Sequence, residues 1–145
     1  MSIRNTTGAD REKVLTTSGL VEDNVPEDSS LVVDTLKALV VITGCGHAGI
    51  VNIVTFAEKH FANKPIYGIV GGLHLFAATD EVVDWTASKL REFHVANLLA
   101  AHCTGIEATF RFRQDLGLSR RTAVVASVGS SFSLADGIEA GPLAK

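Results

Sequence analysis

Cysteine is scarce in this chain, net charge is small, and no hydrophobic run is long; each shortage closes off a class of protein. Two cysteines in 145 residues, Cys45 and Cys103, are too few for the disulfide framework that holds small secreted domains together. The formal net charge is −3, and Lys and Arg are scattered, with only Arg111, Arg113, Arg120 and Arg121 loosely grouped. Such a surface offers no field for nucleic acid. No apolar stretch approaches the roughly 20 residues of a membrane span, and the opening MSIRNTTGADREKV lacks the apolar core a signal peptide needs. A soluble, cytoplasmic protein is expected. Its hydrophobic share of 46% is enough for a filled core, and its length suits one domain of about 100–200 residues.

The order of apolar runs and helical stretches predicts an α/β fold. Residues 1–13 read as a polar lead-in, VLTTSGLV (14–21) as a short edge strand, and EDNVPEDSS (22–30) as loop. LVVDT and ALVVIT, on either side of Leu36 and Lys37, are close enough for a tight hairpin, although the turn lacks an Asn-Gly signal. Beyond Gly49, the residues Ile50, Ile53, Val54, Ala57 and Phe61 recur at three- and four-residue spacing. That spacing predicts an amphipathic helix over 50–62, stopped by Pro65. IYGIV (66–70), VANLLAA (95–101) and TAVVASV (122–128) predict strands. Between them lie a helix capped by Thr79 or Asp80 that runs to about Glu92, and a helix in TGIEATFRFRQDLGL closed near Gly117. Strands alternating with helices are βαβ units, and the hairpin that feeds them makes the sheet mixed. The domain is expected over 14–131, followed by a Gly- and Ser-rich flexible tail at 132–145.

Three histidines fall at equivalent places in this series. His47 follows the strand 38–43, His74 follows 66–70, and His102 follows 95–101. In open α/β sheets ligands bind in the crevice beyond the carboxyl ends of the strands, so three successive units would deliver three imidazoles to one edge. Gly44 and Gly46 before His47, and Gly71 and Gly72 before His74, let the backbone turn toward it. Converging neutral imidazoles suit zinc, or another divalent metal such as manganese or iron. Three protein ligands plus a water is the usual catalytic arrangement, in which the metal lowers the pKa of that water to about 7. A histidine at a strand end also commonly caps a carbonyl or a helix end, so each has a structural reading beside the metal one. His60, in the last turn of a helix, and His94, in a helix-to-strand connection, read as structural or solvated. Cys45 and Cys103 are soft ligands or small buried hydrophobes, with burial near the site favoured. Thr104 reads as the cap of the helix that begins there, and Asn52 and Glu107 lie near the same crevice. Asp34 reads as a surface residue beside the hairpin turn.

TGCGHAGIVN, GGLHL and HCTG, in this order and spacing, resemble the metallo-β-lactamase superfamily over about residues 14–131. The chain is most similar to its dihydropterin–ribofuranosylaminobenzene phosphate synthase-like branch. The resemblance implies the C-terminal half of an αβ/βα sandwich, holding one or two metal ions, usually zinc, with a bridging water as nucleophile. It also implies roles for the histidines: His47 as third ligand of a first metal, His74 at the bridging position that most of the superfamily gives to aspartate, and His102 as a ligand of a second metal. The superfamily's first motif, His-x-His-x-Asp-His, does not occur, and no histidine precedes residue 47. One copy of the chain is therefore not expected to assemble the standard two-metal site.

The expected function is metal-dependent hydrolysis, with a metal-bound water attacking an ester, lactone, amide or phosphoester in a small-molecule substrate. His47, His74 and His102 would hold the metal, and Cys45, Cys103 and Thr104 would support them from behind. A homodimer is expected, paired through the sheet face that the other half of the sandwich would cover, because a sheet needs both sides buried. The alternative is a non-catalytic metal-binding or interaction module that takes its missing half from a partner chain. A third reading is a small-anion pocket at the helix N-termini that follow His47 and His102.

Overall fold

The computed structural model describes residues 13–22, 28–61 and 64–144. The lead-in expected at 1–13 lies outside them except for Lys13, as does most of the loop expected at 22–30. In chain order the elements are β1 (Lys13–Thr16), β2 (Gly19–Glu22), β3 (Ser30–Asp34), β4 (Leu39–Thr43), α1 (Ile50–His60), β5 (Ile66–Gly71), α2 (Asp80–Glu92), β6 (Asn97–Ala100), α3 (Ile106–Asp115), β7 (Ala123–Val125), β8 (Ser131–Ser133) and β9 (Gly137–Glu139). A single 3₁₀ turn, His102–Thr104, precedes α3, and another, Pro142–Ala144, follows β9.

Five strands form one mixed sheet in the order β3-β4-β5-β6-β7. β3 and β4 pair antiparallel from Ser30↔Thr43 to Asp34↔Leu39, and β4 through β7 run parallel. The hairpin closes without Asn-Gly because Thr35 does that work. Its backbone N–H donates to the Ala38 carbonyl (3.1 Å), and its hydroxyl accepts the Ala38 N–H (3.1 Å). Asp34 lies at the surface, as expected, and pairs with Lys64 Nζ at 2.5 Å.

Each parallel step is a βαβ unit. α1 packs beside α2 and α2 beside α3, so the helices form one layer on one face of the sheet. Ile50, Val54 and Ala57 of α1, Val83, Ala87 and Leu90 of α2, and Ala108 and Phe112 of α3 turn inward onto Leu39, Val41, Ile66, Ile69, Leu98 and Ala123. Full burial of one such Leu, Ile, Val or Phe side chain is worth about 1.5–3 kcal/mol, and this layer is where the fold gains most. The last helix ends as its glycine suggests: Gly117 takes φ +68°, and Leu118 N–H reaches back to the Arg113 carbonyl at 2.8 Å.

Two expectations are corrected. Residues 14–21 are not one edge strand but most of a two-stranded hairpin, β1 with β2. Gly19 adopts φ +114°, which turns the chain, and the Thr16 hydroxyl donates to the Gly19 carbonyl at 2.9 Å. Secondary structure also continues into the Gly- and Ser-rich tail, where β8 and β9 form a hairpin. It lies over β5 and β6 on the sheet face away from the helices. Phe132 occupies the space a side chain at Gly68 would take, and Gly137 sits against Asn97. Part of the face expected to await a partner is thus covered by the chain itself. Leu31 and Ile42, paired across β3 and β4, stay exposed at 60% and 37%.

Candidate metal centre

Strands β4, β5 and β6 are parallel neighbours, so the loops that leave their carboxyl ends lie side by side. Backbone hydrogen bonds then stitch these loops to one another. Gly72 N–H donates to the Gly44 carbonyl (2.9 Å), Ala101 N–H to Gly71 (2.8 Å), and both Leu75 and Phe76 N–H to the Cys103 carbonyl (2.9 and 3.0 Å). Two threonines add side-chain ties. The Thr43 hydroxyl donates to the Gly72 carbonyl at 2.7 Å, and the Thr104 hydroxyl accepts the Leu73 N–H at 3.1 Å.

Such close approach needs particular residues. Gly46 takes φ +73°, and a Cβ there would meet the Gly72 carbonyl oxygen at 2.7 Å. At Gly72 a Cβ would meet Cys103 Sγ at 2.5 Å and the Gly44 oxygen at 2.7 Å. His74 holds φ +50°, a left-handed conformation that costs a non-glycine residue of order 1 kcal/mol or more and gathers at functional sites.

The stitched loops bring the histidines into two groups. His47 and His74 meet edge to face, their ring centroids 4.3 Å apart. The exposed Phe76 also meets His74 edge to face, with ring centroids 5.6 Å apart. His102 instead faces the cysteines, with its Nε2 3.0 Å from Cys45 Sγ. Cys45 Sγ, His102 Nε2 and Cys103 Sγ all lie within 4.8 Å of one another. Two thiols and an imidazole are soft and borderline donors that fit zinc or iron better than a hard oxygen-seeking ion.

Cys103 also donates to the Cys45 carbonyl at 3.3 Å. Burial, with the neighbouring Cys45 thiol adding to it, pushes the Cys103 thiol up to about 11, and a hydrogen bond from the His74 backbone N–H offsets this only in part. Both thiols are half-buried, neither sealed in the core nor fully open.

Other positions differ in what they do. Thr104 does not cap α3; Gly105 holds that place, and the Thr104 hydroxyl is buried and spent on the loop that carries His74. His60 ends α1, its Nδ1–H donates to the Phe56 carbonyl (2.8 Å), and its ring stacks on that of Phe56. His94 sits at the turn after α2 with φ +54°. The Asn52 side-chain amide donates to the Ala48 carbonyl at 2.7 Å, and Glu107 is exposed in the first turn of α3. Asp28, given only to loop by its sequence, accepts the Ala48 N–H at 2.9 Å and ties the His47 loop to the chain ahead of β3. That places a carboxylate beside the start of α1, where the small-anion reading needed open N–H groups. Nothing in the local sequence marks Asp28 for this role.

No family model matches the chain. It is 33% identical over 96 residues to the 7,8-dihydropterin-6-methyl-4-(beta-D-ribofuranosyl)-aminobenzene-5'-phosphate synthase of Methanocaldococcus jannaschii, a match that takes in 66% of this chain and 33% of the relative. An uncharacterized protein of the same organism is 33% identical over 98 residues, covering 65% of this chain and 34% of its own length. Among solved structures, Tm1679, a metal-dependent hydrolase of the beta-lactamase superfamily, superposes with a TM-score of 0.66 at 34% identity, over 72% of this chain. The resemblance to the metallo-β-lactamase superfamily holds in three dimensions. The chain spans about one third of the curated relatives it matches and 40% of Tm1679. No helix among the described residues is long and apolar enough to cross a membrane.

Proposed function

We propose that the chain carries a metal-dependent hydrolytic centre at the carboxyl edge of its sheet, with His47, His74 and His102 as its imidazole ligands. The observation that carries this reading is the stitching of three consecutive strand-end loops, each with one histidine, into a single surface. The likeness to a metal-dependent hydrolase at 34% identity supports it. Zinc, first by donor chemistry, would supply Lewis acidity toward a carbonyl or phosphoryl oxygen and a water of lowered pKa.

The chain's own residues do the positioning. Thr43 and Thr104 fix the loop that carries His74, and Asp28 fixes the one that carries His47. Exposed Phe76 beside His74 offers an apolar wall for the non-reacting part of an ester, lactone, amide or phosphoester. The exposed Leu31 and Ile42 pair favours a homodimer through that part of the sheet, testable by sedimentation, and we place the chain in the cytoplasm.

The test is metal content of protein purified without a histidine tag or chelator, with turnover of bis(p-nitrophenyl) phosphate and chromogenic esters before and after metal removal. About one zinc, iron or manganese per chain with chelator-sensitive turnover is expected, and His102→Ala should lose both. Unchanged metal content in His102→Ala would overturn the three-imidazole set. The exposed Leu31 and Ile42 pair also suits a second reading, a metal-binding or interaction module completed by a partner chain. Bound metal without turnover of any ester or phosphoester would point to it.

A further inference from the structure

The two cysteines are two of the five thiol and imidazole donors at this edge, and burial alone does not explain them. A small hydrophobe would be sealed in the core, yet Cys45 and Cys103 are both half-exposed and both turned toward His102. The backbone makes room for them: Gly72 leaves open the space into which Cys103 Sγ projects. A tetrahedral zinc with ordinary Zn–S and Zn–N bonds sets its donors about 3.5–3.8 Å apart. Here Cys45 Sγ and His102 Nε2 are 3.0 Å apart, and no pair among the three donors exceeds 4.8 Å. Side-chain adjustments of under about 1 Å reach the tetrahedral spacing, and the loops that hold these residues need not move.

We propose that Cys45, His102 and Cys103 are together the direct ligands of a zinc-class cation, a mixed thiolate–imidazole site in which the thiols are ligands and not supports. Each thiol yields its proton to solvent as its sulfur bonds to the metal. Three protein donors leave one coordination position open. The inference deepens the proposed function by changing which donors hold the metal, and rests on it only for the presence of one.

Cobalt(II) added to the reduced full-length chain tests it. Thiolate ligands give an intense near-ultraviolet sulfur-to-cobalt charge-transfer absorption that imidazole and carboxylate ligands do not. The expected result is that this band saturates at one equivalent, falls by about half in Cys45→Ser and in Cys103→Ser, and vanishes when both are replaced. Cobalt that binds with no such band, or a band that survives the double replacement, overturns the proposal. The unmodified chain gives a second reading: bound zinc should protect both thiols from iodoacetamide, and alkylation of either at its metal-free rate with zinc bound also overturns it. Charge transfer without turnover would leave this site standing and sink the hydrolytic reading; chelator-sensitive turnover without charge transfer would do the reverse.

Discussion

Two polar clusters on this molecule differ in what they leave available. On the outer helix layer, Arg111 of α3 is clamped by Asp84 of α2 through Nε and Nη2 (3.0 and 2.6 Å) and by Asp80 through Nη1 (2.8 Å), beside a shallow cleft that Ser88, Arg91 and Gln114 also line. Those carboxylates hold the guanidinium's pKa above its usual range, with the Asp84 hydrogen bond the largest cause. Charge there is already matched. At the carboxyl edge of the sheet the ties between loops are mostly backbone to backbone, and the side chains offered to the gap are thiols and imidazoles. The outer cleft is a solvated face, whereas the cluster of lone-pair donors at the sheet edge suits a cation. Depth and charge are poor guides to function; what matters is whether the donors answer one another.

The comparison breaks first at the backbone. Gly72→Ala would set a methyl against the Gly44 carbonyl and the Cys103 sulfur at once. The carbonyl belongs to a loop that cannot yield alone, so a stability loss of about 3 kcal/mol is expected, together with loss of metal uptake. Chemical denaturation and metal titration of the same preparation measure the two. A variant as stable as the parent would mean that the stitching is looser than its hydrogen bonds suggest. Thr104→Val is a gentler cut. It keeps the shape and removes the acceptor of the buried Leu73 N–H, at a cost of about 1–3 kcal/mol. Metal affinity should weaken with it, because the His74 loop loses one of its three ties to the loop of His102. No comparable loss is expected from any exposed threonine of α1, such as Thr55.

A third prediction concerns pH. The folded chain holds the Cys103 proton up to about 11, against an ordinary thiol value of 9.0, and so binds it more tightly than the unfolded chain does. The stability this contributes is whole below the ordinary thiol range and is lost as pH climbs from there to about 11. Thermal midpoints of the metal-free chain should fall across that window, and Cys103→Ser should flatten part of the fall. Bound zinc should remove the trend, since a metal-held sulfur has no proton to lose. A flat profile without metal would mean that Cys103 is better solvated than its neighbours imply.

Much of this was legible from the sequence, for a physical reason: strand and helix periodicities are local. The apolar runs at 38–43, 66–70 and 95–101, and the three- and four-residue spacing after Gly49, each declare themselves within a dozen residues, and the mixed α/β sheet follows from their alternation. Placing His47, His74 and His102 at strand ends needed nothing more. What stayed hidden depends on residues far apart in the chain. The β8–β9 hairpin is ordered because Phe132 finds Gly68 bare, and a Gly- and Ser-rich stretch gives no sign of such a partner. Thr104 looks like any helix cap until the Leu73 N–H is seen beside it. The grouping of His102 with two thiols, and of His47 with His74, arises from loop-to-loop bonds across 27 or more residues of separation, beyond the reach of any local pattern.

The smallest expected effect tests the other side of the comparison. Arg111→Ala removes every ion pair of the outer cluster, yet its partners are open to water, with Asp80 and Asp84 side chains 76% and 52% exposed. Pairs of this kind contribute little to stability, because Coulomb attraction in high dielectric barely exceeds the entropy of holding long side chains still. The loss should shrink further as salt is raised, since exposed charges are screened within about 10 Å at 0.1 M ionic strength. Denaturation at low and high salt reads both effects. Metal content and cobalt absorption should not change at all, because α2 and α3 meet the sheet edge through their buried faces and not through this one. If Arg111→Ala did weaken metal uptake, the two clusters would be coupled through α3, and the outer cleft would have to be counted as part of the site.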